Sequence, residues 1–190
     1  MQPKNLLDVK NRHELREWLK HNHDRETECW VVVRKGKPSD NSSFWYLDAV
    51  EEALCFGWID SVHRTIEGYG HGQKLSPRKA NSPWSELNKE RCRRLEKLGL
   101  MTEAGRAVMP DLTEDFVVDG DLAEIIQSDV SIMENMRRFP PLYNRIRIAN
   151  IQRERSKPEV FERMLRNFLD KTRQGIMYGE WNDYGRLIDY

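Results

Sequence analysis

No stretch of this 190-residue chain approaches the ~20 consecutive apolar residues of a membrane-spanning helix. Its first residues, MQPKNLLDVKNRHE, lack the apolar core of a secretory signal, so we expect a cytosolic protein. Cysteine is scarce: Cys29, Cys55 and Cys92 lie far apart and form no CxxC pair. An odd, scattered set fits reduced thiols and argues against a disulfide framework. Net charge is absent as well, since 31 Lys and Arg balance 31 Asp and Glu, and bulk charge therefore points to neither nucleic acid nor membrane as partner. There is no GxGxxG, no Walker A loop and no GxSxG elbow, which removes the usual nucleotide and serine-hydrolase signatures.

What is present is a core and a strongly solvated surface. Hydrophobic residues make up 38% of the chain and include six Trp, too many for a disordered segment. The length suits one domain, or one domain with an appendage. Charge is distributed in blocks: residues 74–97 carry eight Lys/Arg against three Glu, 103–136 one Arg against nine acids, and 137–175 eleven Lys/Arg against four acids. Such blocks read as solvated helix faces, with a basic groove beside an acidic wall as the alternative.

Periodicity gives an α+β chain. Asn11, followed by Glu14, predicts a capped helix from Arg12 to Asn22. The β-branched run at 28–35 predicts a strand and 36–43 a loop. Residues 44–56 repeat at helical spacing, with Leu47, Val50 and Leu54 on one face, Asp48, Glu51, Glu52 and Cys55 on a neighbouring stripe, and Gly57 ending the helix. Residues 58–68 alternate as a strand, and 69–75 read as a flexible link. Ser82 caps a helix with Pro83 at its first position, running to Leu98. Thr102 caps the next. Beyond the loop at 110–121 the pattern is helical, with a break near Pro158 and an aromatic tail from 176. We place an α+β domain over residues 1–115, holding a polar cleft, and a helical C-terminal segment over 116–190.

The stretch from Tyr46 to Asn88 concentrates recognition chemistry. Arg78 and Lys79 precede a helix start whose free N–H groups favour an anion, with Ser82, Ser85 and Asn88 as hydrogen-bonding groups and Trp58 and Trp84 as walls. The competing reading is an ordinary capped helix with Arg78 paired to an acid such as Glu52. Glu52 and Asp60 are candidates for acid and base, or for a structural ion pair. His63 and His71 lack the spaced partners of a metal centre, and Cys55 lacks a neighbouring base, so neither metal nor cofactor is expected. The Arg-rich helices after residue 137 suit packing, or a protein partner, better than nucleic acid.

Three segments, YLDAVEEALCFGWIDS, LSPRKANSPWSELNK and RLEKLGLMTEAG, resemble the YdeI/OmpD-associated, or bacteriocin-protection, family of bacterial proteins. The resemblance extends over about residues 12–175. It implies a cytosolic bacterial protein tied to envelope or antimicrobial-peptide stress, with no established catalytic mechanism. It directs attention to Lys35, Glu52, Trp58, Asp60, Arg78, Lys79, Ser82, Trp84, Ser85 and Asn88. Three functions follow as expectations: a binder of an anionic small molecule or partner group, an enzyme working through Glu52 or Asp60, or an interaction module using the basic C-terminal helices.

Overall fold

Asn11 opens the first helix by accepting a hydrogen bond from the Glu14 backbone N–H, while its own amide donates to Glu14 Oε1 at 2.8 Å. The helix α1 (Arg12–Asn22) then buries Leu15 and Leu19, one turn apart, on a single face. The computed structural model describes residues 3–40 and 42–190. After α1 come the strand β1 (Cys29–Val32), the helix α2 (Tyr46–Cys55), the strands β2 (Trp58–Ile66) and β3 (Gly70–Pro77), and the helices α3 (Glu86–Lys97) and α4 (Glu103–Val108). Four further helices follow: α5 (Gly120–Gln127), α6 (Val130–Arg138), α7 (Pro141–Arg153) and α8 (Pro158–Arg173). The fold is α+β, with the sheet in the N-terminal half and helices toward the C-terminus.

The three strands form an antiparallel sheet in the order β1-β3-β2. The segment expected to be a flexible link is therefore the central strand. Its glycines suggested flexibility, but Gly72 is required by packing, because a Cβ there would lie 2.2 Å from Ile66 Cδ1. Leu75 and Gln73 on the same strand are buried. Gln73 satisfies its side-chain amide by donating to the carbonyls of Val62 and Lys74. Gly68 takes a positive φ in the turn that joins β2 to β3.

The helix α2 packs against α1, α4, β2 and β3. Every residue from Leu47 to Cys55 is buried, so its acidic stripe is inside as well as its apolar face. Its last carbonyl, on Cys55, accepts from Thr102 Oγ1 at 2.5 Å and from the Thr102 backbone N–H at 3.2 Å. Thr102 also caps α4. A Cβ on Gly105 would stand 2.4 Å from the same carbonyl oxygen. The segment LGLMTEAG is thus a close backbone crossing between α2 and α4.

A second expectation is corrected at residue 82. The helix α3 begins at Glu86, and its cap is Ser85, whose Oγ accepts from the Asn88 N–H at 3.2 Å. Ser82 instead closes a turn, its N–H donating to the Lys79 carbonyl at 2.9 Å. Arg78 donates to the carbonyls of Ser82 and Pro83, which holds 79–83 as a loop and leaves Pro83 outside the helix.

The chain divides into two compact units. One comprises Met1–Pro83, Glu90–Leu112 and Tyr190; the other comprises Trp84–Lys89 and Thr113–Asp189. The second has its own core of Leu122, Phe139, Tyr143, Ile148, Ile151 and Phe168. Tyr143 is central there: Phe139 and Trp181 meet it edge-on, and its hydroxyl accepts from the Tyr178 N–H. The aromatic tail is thereby docked onto α7, with Arg147 stacked on Tyr178 at 4.6 Å.

Candidate functional site

Glu51 and Glu52, on the buried stripe of α2, are each 1% exposed. Carboxylates at that depth require partners. Glu52 receives Arg12 on one oxygen at 2.6 Å and Arg16 on the other at 2.7 Å. Glu51 receives Arg12 at 3.1 Å and Arg94 at 2.9 Å. Arg16 also donates to the Leu100 carbonyl at 2.6 Å. Burial alone would lower the Arg12 pKa, but Glu52 and Glu51 together hold it above its ordinary value. Glu52 thus has both oxygens engaged by guanidinium groups, the geometry of an internal brace and not of a proton acceptor facing substrate.

Apart from Lys79, the remaining candidates of the central stretch are engaged within the structure. Asp60 accepts from the Tyr46 hydroxyl at 2.6 Å. Trp58 is 1% exposed, donates its indole N–H to the His23 carbonyl at 3.0 Å and meets Trp18 edge-on. Arg78 is buried against its own loop, and burial lowers its pKa. Lys79 is exposed. Trp84, Ser85 and Asn88 belong to the second unit, whereas Arg78, Lys79 and Ser82 belong to the first.

A cleft of about 1140 Å³ lies elsewhere in the first unit. Its walls come from the lead-in segment before α1, the exit of β1, the residues entering α2, and the turn end of the β2–β3 hairpin. Among the ten residues singled out from sequence, Lys35 lines it. Beside Lys35 stand Arg34, Lys10, Tyr69 and His71, which sequence reasoning did not select. The available signal was the basic pair Arg34–Lys35 directly after a β-branched run; the contributions of Lys10 and His71 come from distant segments and carried no local pattern.

Charge in this cleft is uneven. Lys10 pairs with Asp8, both highly exposed. Arg34 and Lys35 are exposed, and neither side chain makes an ion pair among the described residues. His63 lies beside them, its ring 5.5 Å from that of His71. Its ring is exposed, and its pKa is lowered by slight desolvation first, then by the charge of Lys35 and by His71. The hydroxyls of Ser42 and Ser43 both donate to Asp40, and the Trp45 indole donates to the Asp40 carbonyl, so this loop is internally tied. Phe44 and Val33 supply apolar wall. The arrangement suits an anion with an apolar body: two cations unopposed by a carboxylate, set against hydrocarbon.

Among the described residues, no three His, Cys, Asp or Glu converge on a point where a metal ion would sit. No helix among them is long and apolar enough to cross a membrane. All three cysteines are buried thiols, each with its pKa pushed up to about 12, chiefly by burial. A reactive thiolate needs the opposite surroundings.

No curated protein and no solved structure matches the chain. A family model does match, over residues 7–108, a span that contains the sheet, the buried acidic stripe and all of the cleft lining except Leu6. The chain therefore belongs to the family described as a domain of unknown function, DUF8412.

Proposed function

We propose that this protein binds an anionic small molecule, or an anionic group of a larger partner, in the cleft beside Arg34 and Lys35. The observation that carries the reading is the state of those two side chains. Both are exposed in a cleft of about 1140 Å³, and neither has a carboxylate partner among the described residues. Elsewhere in the first unit, arginines of α1 and α3 are held by buried acids, in contrast to this basic pair. The site is a binding site in this reading, with no acid–base pair of its own. Glu52 lends no support to a catalytic role, because Arg12 and Arg16 occupy it. The resemblance to YdeI/OmpD-associated proteins supplies a setting for the proposal: a bacterial cytosol under envelope or antimicrobial-peptide stress.

A ligand that binds only the folded state raises its melting temperature. We expect glutarate, citrate or phosphate to raise Tm in a concentration-dependent way, and the double variant R34Q/K35Q to lose that rise. A rise that persists undiminished in R34Q/K35Q overturns the proposal. R78A serves as contrast: it lowers Tm without ligand, by releasing the 79–83 loop, and leaves the anion-dependent rise intact.

A further inference from the structure

The outer edge of β1 contains a gap, and the gap opens into the cleft. In an antiparallel ladder, alternate residues turn their N–H and C=O groups to opposite edges. Val33 turns inward, its N–H donating to the His71 carbonyl of β3 at 3.0 Å. Trp30 and Arg34 turn outward. Trp30 donates to the Asn5 carbonyl and accepts from the Leu7 N–H, at 3.0 and 2.9 Å. Arg34 donates to the Phe44 carbonyl and accepts from the Tyr46 N–H, both at 2.8 Å. Val32 lies midway between them with the same outward phase. That phase turns its N–H and C=O away from β3, neither makes a backbone hydrogen bond outside the ladder among the described residues, and Val32 lines the cleft.

The two flanking bridges, Leu6 with Trp30 and Arg34 with Trp45, are both parallel. Had the lead-in segment continued alongside the strand, the next pair of bonds would have joined Val32 to Leu7 and Val9. The chain departs before that point, Lys10 donating its N–H to Glu14 at the cap of α1. The edge is therefore covered at both ends and open for one residue in the middle. An unpaired donor and acceptor on a strand edge bind most naturally to another extended backbone, which offers the complementary pair.

We infer that the ligand of this cleft is an acidic peptide segment in extended conformation. One of its residues pairs with the N–H and C=O of Val32, and a carboxylate of the segment reaches Arg34 and Lys35. Charge complementarity selects the acidic sequence, and the single backbone pair selects a ligand that has an amide. This rests on the anion-binding reading of the cleft and goes further, because a simple carboxylate satisfies the cations but leaves the Val32 edge open.

The test compares four probes on the full chain by isothermal titration and ¹H–¹⁵N NMR. They are acetyl-Ala-Glu-Ala-amide, its Gln counterpart, its N-methylated form and glutarate. The Glu peptide should bind about tenfold more tightly than the Gln and N-methylated forms, the scale of one lost hydrogen bond or screened charge contact. It should also shift the Val32 amide and slow its exchange with solvent. Glutarate or the N-methylated peptide binding as tightly as the Glu peptide overturns the backbone pairing and leaves the anion site standing. A Val32 amide already protected from exchange in the free protein also overturns it, since the gap would then be closed by the lead-in segment. Absence of binding by all four probes, with no change in R34Q/K35Q, overturns both inferences together.

Discussion

Arg16 Nη1 donates to Glu52 Oε2 across 2.7 Å, and the carboxylate it holds is 1% exposed. The pair joins α1 to α2, and Arg12 completes it on the other oxygen. A buried carboxylate held in this way is costly to unpair, because removal of one partner leaves the other charge desolvated. E52Q keeps the shape and removes the charge, leaving Arg12 and Arg16 beside a neutral amide. We expect it to lower the unfolding free energy by roughly 3 kcal/mol in urea denaturation. The anion-dependent rise in Tm should be unchanged, since the cleft is lined by other residues. An E52Q protein as stable as the parent would contradict the bracing role.

The crossing of α2 and α4 leaves no room for a side chain. In G105A the new methyl would meet the Cys55 carbonyl oxygen at 2.4 Å, and backbone cannot move aside as a flexible side chain does. We expect a loss of about 1–3 kcal/mol. T102V removes both the cap of α4 and the hydroxyl hydrogen bond to the same carbonyl. It should cost about 1–2 kcal/mol. Thermal melts of the two variants check both, and a neutral G105A would show that the helices stand further apart than described.

The three thiols offer a pH test with a definite sign. Cys29, Cys55 and Cys92 each rise from an ordinary value of 9.0 to about 12 in the folded chain. Their contribution to stability is fully present below pH 9. As pH climbs from 9 toward 12 the unfolded chain loses thiol protons that the folded chain retains, and stability falls. Denaturation midpoints at pH 8 and pH 10 should show that decline, and replacing Cys29 by Ala should reduce it. At neutral pH a thiol reagent should label none of the three in the native protein and all three in denaturant.

His63 reports on the cleft. Slight desolvation first, then Lys35 and His71, keep its pKa below the ordinary histidine value. Its neutral form is thus favoured in the folded state, and whatever stability this lends is lost as pH falls through the folded pKa. NMR titration should give a value under the usual ~6.5, and K35Q should move it upward by removing a positive neighbour. An anion bound at Arg34 and Lys35 should move it in the same direction. A His63 titration indifferent to K35Q would dissociate it from the cleft.

Much of the fold follows from local pattern. Asn11 with Glu14 marks the start of α1, Thr102 the start of α4, and Pro141 and Pro158 the first turns of α7 and α8. Each depends on contacts a few residues apart. β3 was obscured because glycines usually signal freedom, whereas Gly72 is there to admit Ile66 from the neighbouring strand. Ser82 imitated a cap because Ser-Pro is a common helix opening, whereas the Arg78 side chain bonds forward to the Ser82 and Pro83 carbonyls and delays the start of α3.

The functional surface divides along the same line. Sequence by itself determined which side chains can carry charge, and the family resemblance drew attention to Lys35 among them. Tertiary structure decided which charges remain available. It set Glu52 between two arginines some 36 to 40 positions away and turned Arg78 onto its own loop. It also opened a cleft where Arg34, Lys35 and the open strand edge at Val32 come together. Residue type sets the free energy of bringing a charge out of water; only the chain's long-range contacts determine whether a partner is waiting there.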